Sequence, residues 1–309
     1  MTYSVVARDD VSGALGVGCE SHFFAPGALV TWTEPGVGVV ATQAFLDPRY
    51  GQLGLAGLRE GRRGADILAE LRANDPNPQV RQVALVGATG DAVAWTGENC
   101  IGYAASISAG PVAVAGNMLA NADVIPAMLA AYQSSPPASG PTALGERILR
   151  AMRAAEDAGG DIRGSQGAVL VVVDRERTAE PWAHTPIDLR VDDARDPIGE
   201  LHRLLMLRKA FDPVYATILA PGLMVGEFHE PVPGDLDRAA AALTNSAAVI
   251  GDNQEARFWH AVLLARAGRS HEARILFKAA TTVVPALSEL ADKLVAAGIL
   301  SEAQRNMLR

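Results

Sequence analysis

The chain has 309 residues, 49% of them apolar, and a formal net charge of −8. This is enough for one large or two ordinary domains with a buried core, and the acidic balance excludes the basic stripe of a nucleic-acid binder. Two cysteines, Cys19 and Cys100, exclude a disulfide framework and a cysteine-based zinc site, and His22, His184, His202, His229, His260 and His271 show no metal-ligand spacing.

Residues 2–8, TYSVVAR, read as a strand. The turn residues DDVSG follow, and ALGVGCES returns as a second strand whose Gly16 and Gly18 point to close packing by a neighbour. LVTWTEPGVGVVATQAF reads as two more strands around Glu34-Pro35-Gly36. From residue 51 apolar residues fall at helical spacing, which predicts two helices broken near Gly61–Gly64 and stopped at Asp75-Pro76. VRQVALVGAT and DAVAWTG predict a hairpin, PVAVAGN a strand, and residues 121–133 and 142–157 helices. AVLVVVDRE is a buried strand, another lies near 184–191, and PIGELHRLLMLRKAFDPVYATILA is a long helix.

Hairpins dominate, with no strict βαβ alternation, so the expected class is α+β: antiparallel sheets with helices on their outer faces. Domain boundaries are expected at 1–220 for this layered part, 221–234 for a Pro/Gly linker and 235–309 for an all-α region. In that last region Ala261, Leu264, Gly268, Ala273, Phe277, Ala280 and Pro285 recur as in a tetratricopeptide-type helix–turn–helix unit, a surface for a protein partner or a simple helical cap. No apolar run reaches the roughly 18 residues of a membrane span, and no secretory signal is read before the first strand. A cytoplasmic protein is expected, with no membrane or nucleic-acid partner and no cofactor or metal.

Chemistry enters at Thr2. Removal of Met1, favoured by a small following residue, leaves Thr2 as a free N-terminus at the head of a strand. Its hydroxyl can attack a carbonyl while its own α-amine takes the proton. The α-amine has an ordinary pKa of about 7.7–8.0, close to working pH. Glu20, Ser21 and His22 end the second strand. Thr42, Gln43 and Asn117 lie at strand ends, where an amide suits substrate orientation or an oxyanion. GGDIRGSQG offers Asp161, Arg163 and Gln166, with Arg163 suited to a substrate carboxylate unless it pairs with Asp161.

The stretches TYSVVARD, GALGVGCESHFFAPG, GVGVVATQAF, YGQLGLAGLREG, RQVALV, VAGNML, GGDIRGSQGAVLVV and DLRVDDARDPIGELHRLL span residues 2–210. In their order and density they resemble the bacterial DUF1028 family, with the fold of the N-terminal nucleophile (Ntn) hydrolases. The resemblance implies a four-layer αββα sandwich with Thr2 where that fold carries its nucleophile. It stops short of the C-terminal tail. Together these readings lead to an amidohydrolase acting on a small amide or peptide-like C–N bond. The competing readings are an Ntn-like binding or assembly module without catalysis, and an enzyme using Ser21 in the same cleft. Homo-oligomerisation is compatible with either fold use.

Overall fold

Thr2–Arg8 (β1) and Leu15–Ser21 (β2) form the expected hairpin, and Asp9 holds its turn by accepting from the Ser12 N–H and hydroxyl, both at 2.6 Å. Thr31–Glu34 (β3) and Gly38–Ala44 (β4) pair around Gly36, followed by helices Pro48–Arg59 (α1) and Gly64–Ala73 (α2). Then come Arg81–Gly87 (β5), Val93–Thr96 (β6), Ala105–Ala109 (β7), Val112–Asn117 (β8), Val124–Ser134 (α3) and Pro141–Asp157 (α4). Gly167–Val173 (β9), Ile187–Val191 (β10) and Pro197–Ile218 (α5) complete this half. The computed structural model describes residues 2–137 and 139–309.

The strands form two antiparallel sheets, ordered β10-β9-β2-β1-β8-β7 and β3-β4-β5-β6. Two local expectations are corrected. Strand β7 was not expected, because ASISA carries one bulky β-former and only edge pairing orders it. Helix α1 begins at Pro48 rather than 51: Asp47 accepts from the Arg49 N–H at 2.9 Å as a cap, and proline suits the first helical position.

Period-two alternation then assigns the faces. Val6, Val17, Cys19, Ala115 and Val171 of the six-stranded sheet share one apolar cluster with Val39, Ala41, Ala84 and Val86 of the four-stranded sheet. The opposite residues of the smaller sheet, Val40, Val83 and Leu85, pack with Tyr50, Leu55, Ile67 and Leu68 of α1 and α2. On the outer face of the larger sheet lies α4, whose Leu144, Ile148, Leu149, Met152 and Ala155 are buried at helical spacing. It approaches so closely that a Cβ on Gly18 would sit 2.5 Å from Ile148 Cγ2 and 2.6 Å from Met152 Sδ. Gly18→Val is therefore expected to destabilise the protein by about 2 kcal/mol through overpacking. An unchanged urea midpoint contradicts that packing.

The chain divides into two compact units, the first ending at Leu205 and the second running from Met206 to Arg309, so the division falls within α5. The second unit is helical: Asp235–Ile250 (α6), Glu255–Arg266 (α7), Ser270–Val283 (α8), Leu287–Ala296 (α9) and Glu302–Met307 (α10). Helix α7 is its centre, with Ala256, Phe258, Ala261, Val262, Leu263, Leu264 and Ala265 all buried. Gly268, at φ +78°, ends α7 and lets α8 turn back, with Ala273, Phe277 and Ala280 facing inward. Buried Arg266 donates to the carbonyls of Leu223, Gly226 and Ile299, tying the 221–226 stretch to α7. No helix among the described residues is long and apolar enough to cross a membrane.

Candidate active site

Thr2 begins β1, the strand between β2 and β8 in the larger sheet. Alternation puts Thr2, Ser4 and Val6 on the face that meets the smaller sheet, with Ser21 beyond Cys19 on β2 and Asn117 beyond Ala115 on β8. On β4 and β5 the same face carries Gln43 beyond Ala41 and Gln82 before Ala84. The apolar intersheet core thus ends in a buried polar cluster.

The Thr2 hydroxyl donates to Ser21 Oγ at 3.1 Å. The Thr2 carbonyl accepts from Gln43 Nε2 at 3.1 Å and Asn117 Nδ2 at 3.4 Å. Both amides also donate to Gln82 Oε1, at 2.7 and 2.8 Å. Gln82 Nε2 in turn donates to Thr96 Oγ1 at 2.9 Å, Ala105 O at 3.2 Å and Gly116 O at 2.8 Å. This amide network ties five strands, β4 to β8, to the backbone of Thr2. With their donors so committed, Gln43 and Asn117 position Thr2 in this arrangement. Gln43 Oε1 and Ser4 Oγ are buried with no hydrogen-bond partner among the described residues, so polar capacity remains inside the cluster.

His22 is exposed, and its backbone N–H donates to Asp161 Oδ2 at 3.1 Å. Asp161 also accepts from the Arg163 N–H at 2.8 Å and forms an ion pair with its guanidinium at 3.3 Å. The pair shapes the loop beside Ser21. Two other candidates lie apart from Thr2. Thr42 alternates to the far face of β4, where its hydroxyl reaches Asp47 O at 3.4 Å. Gln166 donates its backbone N–H to Ser21 O at 3.2 Å, while its side chain turns to Asp193 at 3.3 Å. Met1, whose removal frees the Thr2 amine, lies outside the described residues.

The segments leaving these strands are unusual. All four non-glycine residues with positive φ among the described residues, Ala25, Ala44, Tyr103 and Met118, lie at this end, Ala44 as the last residue of β4 and the others on loops. Ala44 directly follows Gln43 and Met118 directly follows Asn117. Such conformations cost about 1–3 kcal/mol each and cluster at functional sites.

Behind Thr2, on the α4 face, stands a second polar group. Glu20 pairs across the sheet with Tyr3 and is fully buried, with both carboxyl oxygens lacking a hydrogen-bond partner. Tyr3 and Ser165 lie close but donate to Glu156 of α4 instead. Burial, reinforced by the charges of Glu156 and Asp161, pushes the Glu20 carboxyl up to about 9, so it is neutral at pH 7. These carboxylates are not arranged to hold a metal ion.

Sequence reasoning missed Gln82 as a functional residue. Its only signal was an amide inside RQVALV, and its importance depends on lying directly across from Gln43. Glu20, read with Ser21 and His22 at the end of the second strand, lies instead on the face opposite Thr2.

The crystal structure of a Silicibacter pomeroyi protein, described by the family DUF1028, matches at a TM-score of 0.59 with 28% identity, over 68% of this chain and 89% of that one. No curated protein matches. The profile of the Family of unknown function (DUF1028) matches residues 2–201. With its strands, Thr2 and the amide network all inside that span, the chain belongs to the DUF1028 family.

Proposed function

We propose that the first unit is an Ntn-type amidohydrolase, its two sheets and outer helices forming a four-layer αββα sandwich, and that Thr2 is its nucleophile. The observation that carries this reading is the hydroxyl of Thr2 at the head of a central strand, 3.1 Å from Ser21 Oγ, with its carbonyl held by two buried amides. That is how a nucleophile is held in one geometry ready for attack.

In the proposed reaction Met1 is removed and the neutral α-amine of Thr2 takes the hydroxyl proton as Oγ1 bonds to the amide carbon. The proton passes to the leaving nitrogen, the C–N bond breaks, and the acyl group remains as an ester on Thr2. Water then attacks the ester, its proton returns through the same amine, and the carboxylic acid leaves. Ser21 orients the hydroxyl, and Gln82 sets the two amides that hold the Thr2 backbone. The helices of the second unit form a tetratricopeptide-like module in this proposal.

The test is mass spectrometry of the protein purified from its own host. The expected mass is lower by one methionine, and a p-nitrophenyl ester is expected to add one acyl group, mapped to Thr2. A protein with free Thr2 that takes no acyl group selects the non-catalytic binding module instead.

A further inference from the structure

We propose that the mouth of the Thr2 site is an apolar collar, and that the substrate is an amide bearing a large apolar group, such as a medium-length alkyl chain. The inference rests on the proposed function only for the location of the scissile bond. Phenylalanine is normally buried, yet all three phenylalanines of the first unit, Phe23, Phe24 and Phe45, are 57–61% exposed. Ile101, Tyr103 and Ile162 are 49–66% exposed as well.

Val11, Leu53 and Trp182 are exposed elsewhere in the first unit, but the side chains of Phe23, Phe45, Ile101, Tyr103 and Ile162 are not scattered. Hydrogen bonds link the segments bearing these side chains into a path around Thr2. Phe23 N–H donates to Ser21 Oγ at 3.0 Å, and Ser21 receives the Thr2 hydroxyl. The adjacent His22 N–H reaches Asp161, whose neighbour Ile162 donates to Met118 O at 3.3 Å. Met118 N–H donates to Ile101 O at 2.8 Å, and Leu119 N–H to Tyr103 O at 3.2 Å. Cys100 then donates through sulfur to Arg81 O at 3.3 Å, and the Arg81 guanidinium donates to Phe45 O. Phe45 lies two residues beyond Gln43, which returns the path to Thr2.

Large apolar groups gathered at a polar centre supply binding energy to a substrate whose reacting bond is polar and whose remainder is not. Two of the left-handed residues, Tyr103 and Met118, hold this path. Their strain is accounted for if they present side chains outward that relaxed backbone would turn elsewhere.

The experiment measures binding without turnover. In Thr2→Ala, alanine still permits methionine removal, and n-alkanamides of four, six and eight carbons are titrated by calorimetry. Affinity is expected to rise about two- to fourfold per added CH₂. The same series on Thr2→Ala carrying Phe23→Ser and Phe45→Ser, both exposed and so compatible with folding, is expected to flatten. A flat series in the first protein overturns the proposal, as does a slope that the serine variants leave unchanged. A dimer that these variants dissociate, with a flat series, assigns the collar to contact between copies instead. Because no catalysis is measured, failure here is distinct from failure of Thr2 as nucleophile.

Discussion

Thr2→Ala is expected to lower amide hydrolysis by at least about 10³-fold, within the roughly 10⁶-fold that loss of a protease nucleophile costs. The loss should appear in kcat with little change in KM, since the methyl group of alanine removes the attacking oxygen and leaves the surrounding cleft intact. Thr2→Ser, which keeps the hydroxyl and the α-amine, should retain most of the rate. Ser21→Ala removes the acceptor of the Thr2 hydroxyl at 3.1 Å and of the Phe23 N–H at 3.0 Å, leaves the attacking oxygen in place, and should reduce kcat far less. Rates on p-nitroanilides of increasing acyl length decide this. Full activity in Thr2→Ala together with loss in Ser21→Ala moves the nucleophile to Ser21.

The second large effect is on stability, at Glu20. Below about pH 4.5 its carboxyl is protonated in both folded and unfolded chains. Between there and about 9 the unfolded chain releases the proton while the folded chain retains it. The folded state then binds more protons, so stability falls as pH rises, by up to about 1.4 kcal/mol per pH unit. By pH 7 the accumulated cost is on the order of 3 kcal/mol. Glu20→Gln has nearly the same shape and no titration. It should match the parent near pH 4.5 and become increasingly the more stable protein toward pH 9. Urea unfolding followed by tryptophan fluorescence reads this, since Trp32, Trp95 and Trp182 all report on the first unit. Parallel stability curves for the two proteins mean that Glu20 is ionised in the fold.

The same residue sits between α4 and the active-site hairpin. Glu20 lies between Cys19 and Ser21 on β2 and faces Glu156 of α4, while Ser21, one step along, faces Thr2.

Much of the fold was legible in the residues themselves. Alternating β-formers and turn chemistry marked β1, β2, β4, β5, β8 and β9, and helical spacing marked α4, because burial on one face writes its period into the chain. Gly16 and Gly18 announced a close neighbour, and α4 is that neighbour. Thr2, Ser21, Gln43 and Asn117 were legible as polar residues at strand ends. What the chain could not announce was register. Whether Thr42 or Gln43 faces Thr2 turns on a one-residue shift, because adjacent strand residues point to opposite faces. Gln82 joined the site only when β5 was aligned against β4, and β7 existed only as an edge that β8 could order. The collar was likewise invisible, because Phe23, Phe45, Ile101 and Ile162 come from four separate stretches that hydrogen bonds between loops bring to one rim. Local chemistry therefore determined the strands other than β7, the α4 helix and the candidate nucleophile. Long-range pairing, whose partners lie 139 residues apart in the His22–Asp161 bond, decided which side chains meet.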